Sequence, residues 1–362
     1  MESLNVKKNG PLNKVPLEIW ILIFQNVNHD DKSPNIKALG ECRKVCKLWS
    51  LILEPVLLKE ASLISNANMK KFKDAFKNRT RVACFKQLHV WDSNNLPNGF
   101  DLELYNKVMS LAFTPNLTRL EGFFENEDFY KVLIEMIESS DVKFDRLKYV
   151  PYPDGFSSLY NRLILNLTDS LENIYVDFTY PCDSSPNVNL IRRFGEFKSL
   201  KTTLVSGHLN DSSLTDLNNL LDTQQKVKTL EFDWFEAEED YSIEQWFEGS
   251  DRHEKLSTLD LFKAENFGCY PHCLEYSLKK FEKIKKIDIK MDRLDCDAAT
   301  YLRKHKVVFG MLRNTQEYRF SFEIHPYYKD CEDKLLVDLG LNKNSIEYHC
   351  RYTMITITKT SI

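Results

Sequence analysis

The sequence predicts an α/β protein in which a helical N-terminal segment is followed by a curved solenoid of strand–helix units and a terminal strand. Three observations carry this. A triplet of apolar positions, spaced as apolar, two residues, apolar, one residue, apolar, recurs from Phe85 onward. Helical periodicity fills the intervals between triplets. Near the N-terminus, an almost wholly apolar helix lies in a segment too short to bury it.

The triplets are Phe85/Leu88/Val90, Leu117/Leu120/Gly122, Leu147/Val150/Tyr152, Leu171/Ile174/Val176, Leu200/Thr203/Val205, Val227/Leu230/Phe232, Leu256/Leu259/Leu261, Ile284/Ile287/Ile289 and Thr315/Tyr318/Phe320. Their first positions lie 24 to 32 residues apart, a period at which one strand and one helix repeat as a unit. Gly122, Thr203 and Thr315 depart from the apolar rule. Between strands, 126–139 carries Phe129, Val132, Leu133, Met136 and Ile137 at helical spacing. Asp211 or Ser212 can cap a helix carrying Leu214, Leu217, Leu220 and Leu221, and Pro271 opens one carrying Leu274, Leu278 and Phe281. No unit can cover its own apolar face, so neighbours stack. The alternating, β-branched segment from Tyr348 to Thr358 reads as one terminal strand. The expected organisation is a flexible 1–11, a helical pair over 12–55, a helical linker over 56–84, and the repeats over 85–362.

In Val15–Val27, six consecutive residues, Ile19 to Phe24, are apolar. Pro16 suits the first turn of a helix. A second helix starts at Ser33-Pro34, and its apolar stripe runs through Leu39, Cys42, Val45 or Cys46, Trp49 and Ile52 to Pro55. One face of the first helix packs on the second, and another face needs a partner. The order Val15-Pro16-x-Glu18-Ile19, Ile23-Phe24, Val27, then Leu39, Cys42, Val45-Cys46-Lys47-x-Trp49 resembles the F-box, with Val15 in place of the usual Leu and a longer joining segment at 28–35. The resemblance implies docking to a Skp adaptor, and through it to a cullin, by Pro16, Ile19, Ile23, Phe24, Val45 and Trp49. The repeats resemble the irregular leucine-rich repeats that many F-box proteins carry.

Composition narrows the remaining functions. The net charge of −4 does not suit bulk electrostatic binding of nucleic acid. Lys279, Lys280, Lys283, Lys285 and Lys286 are expected to form a solvated face. The N-terminus has no apolar signal-peptide core, and no apolar run is long enough to span a membrane, so a cytoplasmic or nuclear protein with reduced cysteines is expected. No glycine-rich phosphate loop or nucleophile motif occurs, so no catalytic residue or cofactor is expected. Cys269-Tyr270-Pro271-His272-Cys273, with His253 and Cys296, comes nearest to a zinc set but lacks a second well-spaced pair. Cys42 and Cys46 read as buried packing residues.

Within each strand the triplet points inward and its alternating neighbours point to the inner, concave surface. That places the aromatics Trp91, Phe123, Tyr149 and Tyr175 outward in the N-terminal half, where they are candidate anchors. The carboxylates Asp177, Glu231, Asp233 and Asp260 follow in the middle, a band suited to a basic target. Together these features predict the substrate-recognition subunit of a Skp–cullin–F-box ubiquitin ligase, with a protein substrate. Action with the Skp adaptor outside a ligase, or as a repeat scaffold without ubiquitination, fits the same residues.

Overall fold

The computed structural model describes residues 59–76, 85–92, 101–124, 126–153, 155, 157–178, 187–237, 241–249, 255–265, 270–291, 315, 317–323, 347–351 and 354–359, with positions 16, 19, 20, 23, 41, 42, 44–46, 49 and 53 before them. The chain is α/β, built from parallel sheets and helices, with no closed barrel among these residues. It divides into two compact units, Met1–Phe123 and Phe124–Ile362.

In the first unit, β1 (Glu60–Leu63), β2 (Gln87–Asp92) and β3 (Arg119–Phe124, its last residue at the boundary) form a three-stranded sheet in that order. The short strand β1 lies in a segment whose sequence reads as helical linker. It pairs with β2 in parallel, Ala61 beside Leu88 and Leu63 beside Val90. Two helices connect the strands. Ser65 Oγ accepts from the Asn68 amide at the start of α1 (Asn66–Phe76), and Asp101 accepts from the Leu104 amide to cap α2 (Leu102–Ala112). Met69, Leu104, Tyr105, Val108 and Met109 are buried with Leu88, Val90, Leu117 and Leu120.

The second unit has an eight-stranded sheet. Strands β4 (Asn173–Phe178), β5 (Thr202–Leu209), β6 (Thr229–Ala237), β7 (Leu256–Glu265), β8 (Phe281–Met291) and β9 (Glu317–Glu323) are neighbours in chain order and all parallel. Parallel neighbours need a crossover. Among the described helices, α3 (Asp128–Glu138) and α4 (Ser157–Leu165) precede β4, and α5 (Val188–Arg193) with a short 3-10 turn follows it. Next come α6 (Asp211–Thr223), α7 (Ile243–Glu248) and α8 (Tyr270–Lys280). Where one terminal strand is expected there are two, β10 (Glu347–Arg351) and β11 (Met354–Lys359), an antiparallel pair whose β11 joins β9 antiparallel. No described helix is long and apolar enough to cross a membrane.

Register shows how the triplets work. Ile174, Thr203, Leu230, Phe262, Ile287 and Tyr318 are successive partners across β4 to β9. All six are buried. The buried triplet in β7 is therefore Leu259/Phe262/Ala264 and not Leu256/Leu259/Leu261; Leu256 and Leu261 are only half-buried. Two leucine-compatible phases three residues apart made the wrong one look better. The expected helix over 126–139 forms as α3, but its buried face is Phe129, Tyr130, Leu133 and Ile134. In α6 the leucines are buried as expected, while the cap is Asn210, in a reciprocal box with Ser213. The third triplet forms no strand, only an isolated bridge at Tyr149. Pro151 and Pro153 alternate with the residues that would pair and have no amide to donate.

The lysine cluster is a solvated face only in part: Lys283 and Lys285 are exposed as expected, and Lys280 is not. Lys280 is 1% exposed, and its Nζ meets the Asp222 carboxylate at the end of α6, while Asn218 Nδ2 holds the other Asp222 oxygen at 2.8 Å. Lys285 pairs with Asp260 at 2.6 Å and Lys286 with Glu317 at 2.6 Å. Removing a partner from a buried charge costs more than the pair itself contributes. Asp222→Ala is expected to lower the unfolding free energy by about 3 kcal/mol. The double change Asp222→Leu with Lys280→Met is expected to recover most of that loss in urea unfolding curves.

Candidate functional site

The N-terminal segment separates its apolar residues into two classes. Ile19 and Trp20 amides both reach the Pro16 carbonyl, at 3.1 and 3.3 Å, so the first helical hydrogen bonds close on Pro16, which is itself non-helical. Trp20 turns inward, 8% exposed, and its ring lies 5.3 Å from that of Trp49. Ile19 and Ile23, one helical turn apart, are exposed, as is Val45. Pro16 is exposed and Trp49 half-buried; Phe24 falls outside the described residues. The second helix is not continuous as its apolar stripe suggests. The Val45 amide bonds to the Cys42 carbonyl in a turn, Cys46 is non-helical, and its Sγ accepts from the Trp49 amide at 3.5 Å as the chain re-enters helix. Cys42 and Cys46 are half-buried and not fully packed thiols.

On the first unit's sheet, the alternation places Glu60 and Ser62 opposite the half-buried Ala61 and the buried Leu63. Their β2 partners are Gln87 and His89. The Thr118 and Arg119 amides both reach the Lys86 carbonyl, and His89 Nδ1 lies 2.8 Å from the Glu121 carboxylate, so β3 follows β2 at one constant offset. Glu121 also meets Arg119. At the far end of the same face Trp91 and Phe123 are exposed.

The second unit's outward face differs from the expected acidic band. Glu231 pairs with Lys263, and Lys263 also lies 3.1 Å from Glu265. Burial alone would lower the Lys263 ammonium pKa, but Glu231 and then Glu265 hold it above its ordinary value. Asp177 sits at an outward position but is buried. Ser157 Oγ donates to its carboxylate at 2.8 Å, Asn187 Nδ2 donates to its carbonyl, and Asn161 Nδ2 donates to Asn187 Oδ1 at 2.8 Å. Asp260 belongs to the row before the strand face, with Glu172, Lys201, Lys228 and Lys285; Lys285 holds its carboxyl below the ordinary range. Phe262, two residues on, is in the core. Asp233 is half-buried on β6. The four carboxylates therefore do not make one free row.

The tyrosines do come together. Tyr149 and Tyr175 flank Tyr152, with ring centroids 5.5 and 5.4 Å from it, and the Tyr175 hydroxyl meets Ser206. The buried Tyr160 hydroxyl accepts from the Tyr175 amide at 3.0 Å. Sequence reasoning placed Tyr152 inside as a triplet member; Pro151 and Pro153 turn it beside Tyr149 instead, half-buried. Of the zinc candidates, Cys273 is buried in α8 and its carbonyl accepts from Ser277 Oγ; Cys269, His253 and Cys296 fall outside the described residues. Among those described, no group of three or more His, Cys, Asp or Glu could hold a metal.

No protein-family model matches the chain, and no curated protein matches it.

Burial, then Tyr149, Tyr160 and Glu231, push the Tyr152 phenol up, and burial pushes Tyr160 well up. Unfolded tyrosine ionises near 10. The folded phenols thus stay protonated where unfolded ones ionise, so this stability is intact below about pH 10 and falls above it by about 1.4 kcal/mol per pH unit for each group. Phenolate absorbance should show these groups ionising only together with the unfolding transition.

Proposed function

We propose that the chain is a non-catalytic substrate receptor of a ubiquitin ligase. In this reading the N-terminal segment is an F-box that docks a Skp adaptor, and the strand–helix units are those of a leucine-rich-repeat-like solenoid whose outward sheet faces capture a target protein. A cytoplasmic or nuclear location follows from that role. The observation that carries the reading is the division of labour at the N-terminus. Trp20 and Trp49 hold the two segments together, while Ile19, Ile23 and Val45, between 40 and 62% exposed, have no such cover. A short helical segment that leaves large aliphatic residues in water fits a surface completed by another chain. The resemblance to the F-box at Pro16, Ile19, Ile23, Phe24, Val45 and Trp49 supplies the partner's identity.

The repeats support the second half of the reading. One offset per unit, a buried triplet per strand and a solvent-facing row between are features of an array that presents surface and holds no chemistry. Replacing Ile19 and Ile23 together by Lys is expected to weaken binding of purified Skp adaptor by about 2–4 kcal/mol in calorimetry, with the circular dichroism spectrum unchanged. Affinity retained within about threefold in a folded double variant would remove this helix from the interface and the F-box reading with it.

A further inference from the structure

Ile64, Trp91 and Phe123 stand in one row. The pairing of Ser62 with His89 places Ile64, the next outward position after β1, beside Trp91, and the β2–β3 offset of 32 places Phe123 on its other side. Exposures are 46%, 50% and 42%. Strands lie about 4.8 Å apart, so the row is an apolar strip about 10 Å long across the C-terminal ends of three strands. The exposed side-chain surface amounts to roughly 300 Å². A stable dimer needs about 800 Å² from each partner, so the strip is too small for a second copy of the chain but suits one or two anchor side chains of a short segment.

The charge at the other end of the strands selects among such segments. Arg119 stands in the outward row and meets Glu121, while Lys59 and Lys86 stand one residue before it; Lys59 lies 3.9 Å from Glu60, so the formal excess of one positive charge rests on Lys86. That end lies four to five residues from the strip, or about 13–16 Å. We infer that this face binds a linear segment of a partner protein in extended form, with a bulky apolar anchor on Ile64, Trp91 and Phe123 and acidic residues four to five positions away. The assignment rests on the substrate-receptor reading for its place in the cell, since the segment would be the target's. Trp91 and Phe123 supply most of the affinity, and the basic strand starts set direction and speed encounter.

The test uses the full chain bound to its Skp adaptor and a fluorescein-labelled ten-residue peptide with a Phe-x-Leu anchor and an Asp-Glu pair four to five residues away. A second peptide carries Ser at both anchors, and a third carries Lys at both acids. Saturable anisotropy binding is expected for the first peptide. It should weaken at least about tenfold in Trp91→Ala or with the Ser peptide. The Lys peptide should bind at least about threefold less tightly at low salt, with the difference closing at high salt. Adaptor affinity of Trp91→Ala should stay within about twofold, because Trp91 lies outside the F-box segment.

Absence of saturable binding by the first peptide, or equal binding to Trp91→Ala, overturns the site. Preference for the Lys peptide overturns the acidic partner, and dimerisation of the chain that Trp91→Ala abolishes overturns the peptide in favour of self-association. Loss of adaptor binding in the Ile19/Ile23 variant is read separately, so failure here and failure of the F-box reading are distinguishable.

Discussion

A parallel strand has no tight hairpin to fix its register, so something at its ends must do so. In this chain it is a carbonyl. In the first unit Lys59 accepts from the amides of Lys86 and Gln87, and Lys86 from those of Thr118 and Arg119. In the second unit Glu172 accepts from Lys201 and Thr202, Lys201 from Lys228 and Thr229, and Lys228 from Asp260 and Leu261. Each acceptor stands one residue before its strand's outward row. Two amides on one oxygen pin both the height and the direction of the next strand. A slip of one residue would exchange core and solvent faces along the whole strand.

The same position carries charge, with consequences for the surface. Lys148 and Lys201 both reach Glu172, at 2.8 and 3.0 Å, and together hold its carboxyl below the ordinary range. Lys201 and Lys228 are then like-charged neighbours, and opposite signs resume with Asp260 and Lys285. Like charges in adjacent strands repel, and alternation along a ladder removes that cost. The face itself follows the rule, with Glu231, Lys263, Asp288 and Arg319 neighbouring in order across β6 to β9. Carboxylates that look like a binding band in the sequence are thus committed to the sheet. Where the register meets an irregularity, between Val205 and Gly207 of β5, Gly207 takes a φ of 120° that a side chain would resist.

How much was legible follows from these constraints. Period and triplet are properties of single residues, so the phase of most triplets, such as Phe85/Leu88/Val90 and Ile284/Ile287/Ile289, could be read from the chain. The seventh failed because Leu256, Leu259 and Leu261 satisfy the spacing as well as Leu259, Phe262 and Ala264 do, and only pairing with Phe232 and Ile289 decides between them. Pro151 and Pro153 carried a visible warning against the third strand. The break at Cys46 carried none, since a thiol capping an amide leaves no pattern. The buried link from Asp177 to Asn187 and Asn161 was illegible too, because three polar residues far apart in sequence announce no contact.

What the charge pairing leaves over is apolar. Long-range attraction from a face whose charges alternate is weak, because opposite signs at one strand spacing cancel within a Debye length. Specific capture by such a face must come from short-range contacts, which reward shape and desolvation. In the second unit the three tyrosines spend much of that capacity on each other, Tyr152 between Tyr149 and Tyr175 and the Tyr175 hydroxyl on Ser206. In the first unit Trp91 and Phe123 remain in solvent. Exposed aromatics at the end of a register-locked sheet are already held in place, so binding there orders little and loses little entropy. The backbone ladder that fixes the fold therefore also holds a few large side chains at fixed spacing in water.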